Sequence, residues 1–531
     1  MNGSASTEVL LVAGALGIIV LAAFRLSGPM RVFLIAQGAF WGLSYIAVPS
    51  VLLTVQPDPQ YGDNLPDPRL AVLGYDPGIA AVLRPVVFGL WLYALIVVGY
   101  TFWARRRRTP GAVTGSGYYD GPGGDYRAPI ANNQRFIRTL LVLYAVGTVG
   151  RLAAFATGNG GKAGELESPN AILNLVTILA TIGALGLLIY ARPTTGRGML
   201  LIVGGLTFGE LLWTAAVQSK TPIMGAALAL AVRFAMTGWT RRKVVTVLVL
   251  TVLAIGGFGW LQSLKANDEA KTQSVLADSS YPSSVRPFLS LLRRFDGLEA
   301  ATDAYYAGPE SWLTPDQTLT HALQTLVPTQ LLGTEKFQSG AAWASEVRGQ
   351  SVDMSGVEVS LAEGNINEGY VLGGYTGVAL DVTFTFVMLL IWARALYNPH
   401  IPMPVFGLAL IEVPVLFERG FLGAFETLGK YLQAMVLVWM VYVLVGEYQR
   451  RRATSATPRL PSDDLENPSL ITDILGNPSL ATDVLGNPSL VTDVYPSAAP
   501  ATDVHGNPSL VTDVLDNASL VTLKMRAGQW V

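Results

Sequence analysis

Residues 86–108 read VVFGLWLYALIVVGYTFWARRRR, an apolar run over 86–103 that stops at four consecutive arginines, Arg105–Arg108. A helix of about 17–25 residues crosses a bilayer, and clustered arginines mark the end that stays in the cytoplasm. The same unit recurs on both sides of it. Apolar stretches at 8–24, 32–55, 86–103, 136–156, 171–191, 198–217, 222–238, 244–263, 369–394, 402–418 and 428–446 read as spans. Arg25 and Arg31, Arg105–Arg108, Arg192 and Arg197, Arg241–Lys243, Arg394, and Arg450–Arg452 then all fall on one side. That side is the cytoplasm by the positive-inside rule. The opposite loops are poor in Lys and Arg, and the first of them, 56–85, carries Asp58, Asp63, Asp67 and Asp76. The reading is an all-α polytopic integral membrane protein of the cell (plasma or inner) membrane. It has about eleven transmembrane helices and a large extracytoplasmic loop of short helices, with the N-terminus outside and the C-terminus inside. The first span is not read as a cleavable signal peptide, because nothing basic precedes it and Arg25 and Arg31 follow it.

Composition agrees. Of 531 residues, 51% are hydrophobic and only 14% charged, with a mean hydropathy of +0.41. A soluble chain of average composition carries about 25% charged residues. The net charge of −2 gives no reason to expect a nucleic-acid partner. The absence of cysteine excludes disulfides, thiolate metal sites and cysteine nucleophiles. The three histidines, His321, His400 and His505, are too scattered for a zinc site of ordinary spacing.

The chain divides into spans one to eight (1–263), an external loop (264–368), three further spans (369–452) and a tail (453–531). About a hundred residues is too long for a passive connection. In the loop, Phe288, Leu291, Leu292, Phe295, Leu298 and Ala301 recur at helical spacing. That predicts an amphipathic helix over 287–306, lying on the membrane surface or capping a cavity. A second helix is expected over 315–327, with Thr314 as its cap and Pro315 at the first position. The tail repeats Asn-Pro-Ser-Leu-x-Thr-Asp-x-Leu-Gly with a ten-residue period from Asn467. Ten residues are too few for an isolated helix. The tail therefore reads as a disordered extension, the alternative being a docking array for a cytoplasmic partner.

Ionisable groups inside spans are costly and become candidates for function. Arg233, near the inner end of its span, is expected to snorkel. Arg151 lies near the outer end of the fourth span, placed for snorkelling or for substrate binding. Glu210 has no evident partner in sequence. Lys220 sits in the short external turn Gln218–Pro222, and Arg293 and Arg294 lie on the predicted amphipathic helix. The planar arginine fork suits a pyrophosphate. Glu412, Glu418, Arg419, Glu426 and Lys430 gather around the last external loop and read mainly as mutual ion pairs.

The segment 326–381 carries a resemblance. Leu326-Val327-Pro328-Thr329 is followed by Gly333-Thr334-Glu335-Lys336-Phe337. Then come Glu363-Gly364-Asn365-Ile366-Asn367-Glu368-Gly369-Tyr370 and Gly373-Gly374-Tyr375-Thr376-Gly377-Val378. This resembles the end of the large external loop in oligosaccharide repeat-unit (O-antigen, Wzy-type) polymerases, and Ser219-Lys220 is similar to a turn these proteins place before that loop. Thr329 stands where a basic residue is common, and Phe337 where proline is. The resemblance implies glycosyl transfer from a polyprenyl-pyrophosphate-linked oligosaccharide to the sugar of another lipid-linked unit, with no metal or other cofactor. Such chemistry needs charge stabilisation on the departing pyrophosphate and a base beside the attacking hydroxyl. Lys220, Arg293, Arg294, Arg151 and Lys336 are the implied pyrophosphate contacts, and Glu363 and Glu368 the implied catalytic carboxylates. Three other readings stay open. An O-antigen-ligase-like enzyme shares the architecture. Another polyprenyl-dependent multi-span glycosyltransferase would normally show adjacent acidic residues in the first external loop, which 56–85 lacks. A transporter or flippase should show internal repeats, and none is evident.

Overall fold

The computed structural model describes residues 4–59, 65–106, 129–158, 171–193, 196–217, 221–241, 243–245, 247, 278, 280–293, 295, 297–327, 332, 336–354, 361–412 and 419–456. Among these, all regular structure is helical. Seven helices are long and apolar enough to cross a membrane: Ala5–Phe24, Pro29–Val55, Arg84–Arg106, Gln134–Ala156, Arg197–Val217, Asn365–Ala395 and Phe421–Arg452. Shorter apolar helices run over Leu175–Tyr190, Pro222–Met236 and Pro402–Ile411. The span expected at 244–263 lies outside the described residues apart from 244, 245 and 247, and the repeat tail lies wholly outside them.

We label α1 (Ala5–Phe24), α2 (Pro29–Val55), α3 (Pro68–Leu73), α4 (Tyr75–Val82), α5 (Arg84–Arg106), α6 (Gln134–Ala156), α7 (Ala171–Tyr190), α8 (Gly196–Val217), α9 (Thr221–Met236), α10 (Gly297–Ala307), α11 (Pro315–Leu326), α12 (Asn365–Ala395), α13 (Pro402–Glu412) and α14 (Phe421–Ala456). The long helices bury one face and leave the other open. On α5, Leu90, Tyr93 and Val97 are buried, whereas Phe88, Leu95 and Phe102, spaced seven apart, are exposed. An apolar face left open along a span is one that lipid covers. In α2 a π-turn at Leu43–Ala47 precedes Pro49. Proline has no N–H to give the carbonyl four residues back, so the ladder widens there.

The polar loops are organised by helix ends. Asp67 accepts from the Arg69 amide at the start of α3, and Asp76 accepts from the Ala5 amide (3.1 Å) at the start of α1. These two aspartates of the first loop thus satisfy the amide donors that helix starts leave free. The helix expected from Thr314 is present as α11, with a full capping box between Thr314 and Gln317.

Four expectations are corrected. The amphipathic helix over 287–306 is broken: a short turn at Arg286–Leu292 ends before α10 starts at Gly297. Its buried residues, Leu298, Ala300, Ala301 and Ala304, pack into protein, with Gly297 seated on Ser44 of α2. The span at 369–394 is bent. Gly374 takes φ 55° and ψ −143°, a left-handed conformation that suits glycine. The arm 365–372 therefore folds back along the arm 375–395, and Gly369 and Gly377 bring the two backbones into contact. Arg233 does not snorkel: it donates to the carbonyls of Leu188 (2.7 Å) and Ala191 (2.7 Å), closing the C-terminal end of α7. Glu210 does have a partner, described next.

Candidate functional site

Arg151 on α6 and Glu210 on α8 form a bidentate pair, Nη1 to Oε1 at 2.7 Å and Nη2 to Oε2 at 3.0 Å. Thr181 of α7 accepts a third bond at 2.8 Å, and the guanidinium lies 5.0 Å from the Trp213 ring centroid. Both charged side chains are buried. This arrangement ties three helices together and commits both terminal nitrogens of the guanidinium within the protein, leaving Nε without a hydrogen bond.

The other candidate charges converge elsewhere. Glu363 and Glu368 flank the start of α12 and are both fully buried. The arm between them is pinned by amide side chains. Asn367 donates to the Glu363 carbonyl (3.2 Å), the Tyr45 hydroxyl (3.3 Å) and the Gly297 carbonyl (3.4 Å), and Asn365 donates to Thr385 (3.1 Å). Glu368 Oε1 accepts from the Leu422 amide at 3.2 Å, at the start of α14, where a carboxylate complements the helix dipole. Asp381, on the arm opposite Glu368, faces the neighbouring Phe421 amide. Gly420 leaves the Glu368 carboxylate its space, since any side chain there would overlap it.

Glu363 is in a different state. Ser339 and Arg419 face its carboxylate, yet neither closes a well-directed hydrogen bond onto the oxygens. Burial raises its affinity for a proton above the ordinary glutamate range; Arg419 and Ser339 oppose this, and Glu426 adds to it. Beyond it lie three cations. Arg419 approaches Glu426 at 3.6 Å, Lys430 pairs with Glu426 at 2.7 Å, and Lys336 donates to the Thr325 carbonyl (3.0 Å) at the end of α11. Burial lowers the Lys336 pKa, the nearby positive charge of Lys430 lowers it further, and Glu426 opposes both. The Arg419 and Lys430 side chains remain 32% and 51% exposed. One carboxylate, Glu426, thus stands among three cations, with an under-bonded carboxyl behind them. Such a cluster has capacity for an added anion and holds a proton acceptor next to it.

Lys336 and Phe337 also border an aromatic group, in which Phe337 stacks on His321 with ring centroids 4.2 Å apart and lies 6.3 Å from Trp312. Of the remaining expected contacts, Arg293 pairs with Asp278 at 2.7 Å, and Lys220 and Arg294 lie outside the described residues.

Sequence reasoning passed over Asp381, Asp303 and the role of Arg419. Asp381 is an acidic residue within the apolar run 369–394, a signal the rule for ionisable groups in spans would have caught. Asp303 is a buried hub. It accepts from Arg69 (2.7 Å), Arg348 (2.9 Å) and the Trp343 indole (3.0 Å), and so joins the loop before α5 to the large loop before α12. Its charge holds the proton more firmly on both arginines, against the opposing effect of their burial.

The described fold and cluster define a polytopic α-helical membrane protein with a polar site where its largest loop meets α12 and α14. No protein-family model matches the sequence, and no significant match is found among curated proteins or solved structures.

Proposed function

We propose that this chain is an extracytoplasmic glycosyltransferase, a polymerase that joins polyprenyl-pyrophosphate-linked oligosaccharide units into a surface polysaccharide. Its topology is the eleven-span one, with the N-terminus outside and the C-terminus in the cytoplasm. One observation carries the reading: the candidates Lys336, Glu363 and Glu368, drawn from separate parts of the resembling segment, gather with Arg419 and Lys430 around one buried polar cluster. In the reaction, Arg419, Lys430 and Lys336 hold the pyrophosphate, and Arg419 and Lys336 take up the charge that grows on it as the glycosidic C–O bond breaks. Glu363 removes the proton from the attacking sugar hydroxyl as the new C–O bond forms. Glu368, engaged with the start of α14, positions the arm that carries Glu363.

The test is polymer formation by membranes supplied with the lipid-linked unit. Glu363→Gln is expected to leave insertion intact while single units accumulate. Polymer of normal amount from both Glu363→Gln and Arg419→Ala would overturn the assignment. Transfer of a preformed glycan to a different acceptor, with no chain growth, would make the protein a ligase instead.

A further inference from the structure

Four of the exposed aromatic residues belong to one connected band. Phe88 on α5 meets Tyr375 edge to face at 5.2 Å, and Tyr375 meets Tyr370 at 5.7 Å across the glycine turn. Tyr370 lies beside Tyr305, whose ring is 5.6 Å from that of Tyr306 at the end of α10. Four of the five are open to the surroundings: Phe88 41%, Tyr305 42%, Tyr306 37% and Tyr375 48%. The band therefore runs unbroken from a spanning helix, across the α12 turn, onto a helix of the hydrophilic loop. At its far end the Tyr306 hydroxyl donates to the Arg69 carbonyl (3.3 Å), and the Arg69 guanidinium lies 5.7 Å from the Tyr306 ring centroid.

The direction of the neighbouring helices gives this band a depth. Phe88 contacts Tyr375 and Tyr100 contacts Phe386, so the second arm of α12 runs parallel to α5. Both leave the band along lipid-facing stripes: Phe88, Leu95 and Phe102 on α5, and Leu380, Val387 and Ile391 on α12. The aromatic band is thus where two lipid-facing stripes end and the loop begins. Rings with an apolar body and a polar tip are favoured at that boundary.

We infer that Phe88, Tyr305, Tyr306, Tyr370 and Tyr375 form an interfacial anchor that seats the large external loop in the lipid headgroup layer. The partner is the lipid surface, and the occupied face is the outer rim of α5, α10 and the α12 turn. Asp381 lies six residues beyond Tyr375, about 9 Å of helix rise. The anchor therefore places the Asp381 backbone about 9 Å to the membrane side of Tyr375. The inference is independent of the reaction proposed above.

The chain has no cysteine, so single nitroxide labels can be placed freely. Tyr306→Cys, Tyr375→Cys, Leu95→Cys and Leu323→Cys are labelled in the full chain, in liposomes of phosphatidylethanolamine and phosphatidylglycerol. Collision with oxygen, which partitions into lipid, is compared with collision with a water-soluble nickel chelate. Leu95 is expected to favour oxygen strongly, and Leu323, 52% exposed on α11, to favour the chelate. Labels at 306 and 375 are expected between them, at headgroup depth. Chelate collision at 306 equal to that at 323 would overturn the anchor. The tyrosine face would then be a water-facing surface, and protection of that label by a soluble oligosaccharide would identify it as a glycan platform.

Discussion

Two buried acidic groups of this protein are solved in opposite ways. Glu210 meets a bidentate arginine that also reaches Thr181, so each charge closes on another. Glu363 is equally buried, yet its oxygens lack directed hydrogen bonds among the described residues, and the nearest guanidinium is shared with Glu426. A closed pair specifies how helices pack; here it leaves only the Arg151 Nε without a partner. An under-bonded carboxyl beside partly exposed cations has capacity to spare. Buried polar groups are normally satisfied; Glu363 shares its lack of directed bonds with Asp381 and with one oxygen of Glu368, and the partly exposed Arg419 beside it makes it the better candidate for chemistry.

The largest expected effects separate these two roles. Glu363→Gln keeps the side chain's shape and removes the charge. Loss of a general base typically costs about 10²–10⁴-fold in rate, so polymer formation should fall by at least about a hundredfold. Stability should move the other way. A carboxyl whose proton affinity is raised by folding contributes stability below its unfolded pKa and loses it as pH rises through the folded one. At neutral pH the glutamine variant should therefore melt no lower than the parent. Glu210→Ala should do the reverse, losing about 3–5 kcal/mol because Arg151 is left buried and unpaired, with abundance falling. The Arg151→Met/Glu210→Leu double variant should recover that loss. Thermal melts in detergent beside product assays distinguish the two outcomes.

Arg419→Ala sharpens the comparison through pH. Arg419 is the group that most opposes the upward shift of Glu363. Removing it should move the acidic limb of the rate–pH profile to higher pH and cost about ten- to a hundredfold in rate at its optimum, from one charge-assisted contact of roughly 1.5–3 kcal/mol. An unmoved limb with a lower rate would mean that Arg419 touches only the anion.

How much of this was legible follows from the range of each interaction. Spans show in sequence because hydropathy is a property of consecutive residues, and α11 shows because Thr314, Pro315 and Gln317 form a local cap. The Arg151–Glu210 pair joins positions fifty-nine apart on different helices, and nothing in either segment announces the other. The helix over 287–306 had the right apolar spacing, but Gly297 packs against Ser44 and α10 begins afresh there. Periodicity cannot see that contact. The motif around Glu363 and Glu368 was legible as a candidate, whereas Arg419 depends on how the segment before α14 reaches the loop.

Asp303→Asn addresses the frame around the site. The amide keeps the size but weakens two charged contacts, to Arg69 and Arg348, that join the loop before α5 to the large loop before α12. A loss of about 2–4 kcal/mol is expected, since each charged hydrogen bond is worth roughly 1.5–3 kcal/mol and asparagine keeps part of it. Limited proteolysis within 264–368 should quicken in proportion, with the spans left intact. Unchanged cleavage would show that apolar packing around Trp343 alone holds the loop.

The smallest effect should come from Lys430→Ala, and it discriminates most finely. Lys430 pairs with Glu426 one turn away on α14, and its side chain is 51% exposed. Such a pair contributes only about 0.3–0.5 kcal/mol, so the melting temperature should barely move. If its role were confined to that pair, product formation would be equally unmoved. In the proposed site its ammonium also meets the incoming pyrophosphate, in the ground state as much as in the transition state. An interaction of that kind changes substrate affinity without changing turnover. The expected result is a several-fold rise in KM for the lipid-linked donor at constant kcat, shrinking as salt is added because the side chain is open to solvent. Lys430→Arg should restore most of the affinity. A fall in kcat at constant KM would instead place Lys430 at the breaking bond and move the proposed reaction centre out from Glu363 towards the exposed face of α14.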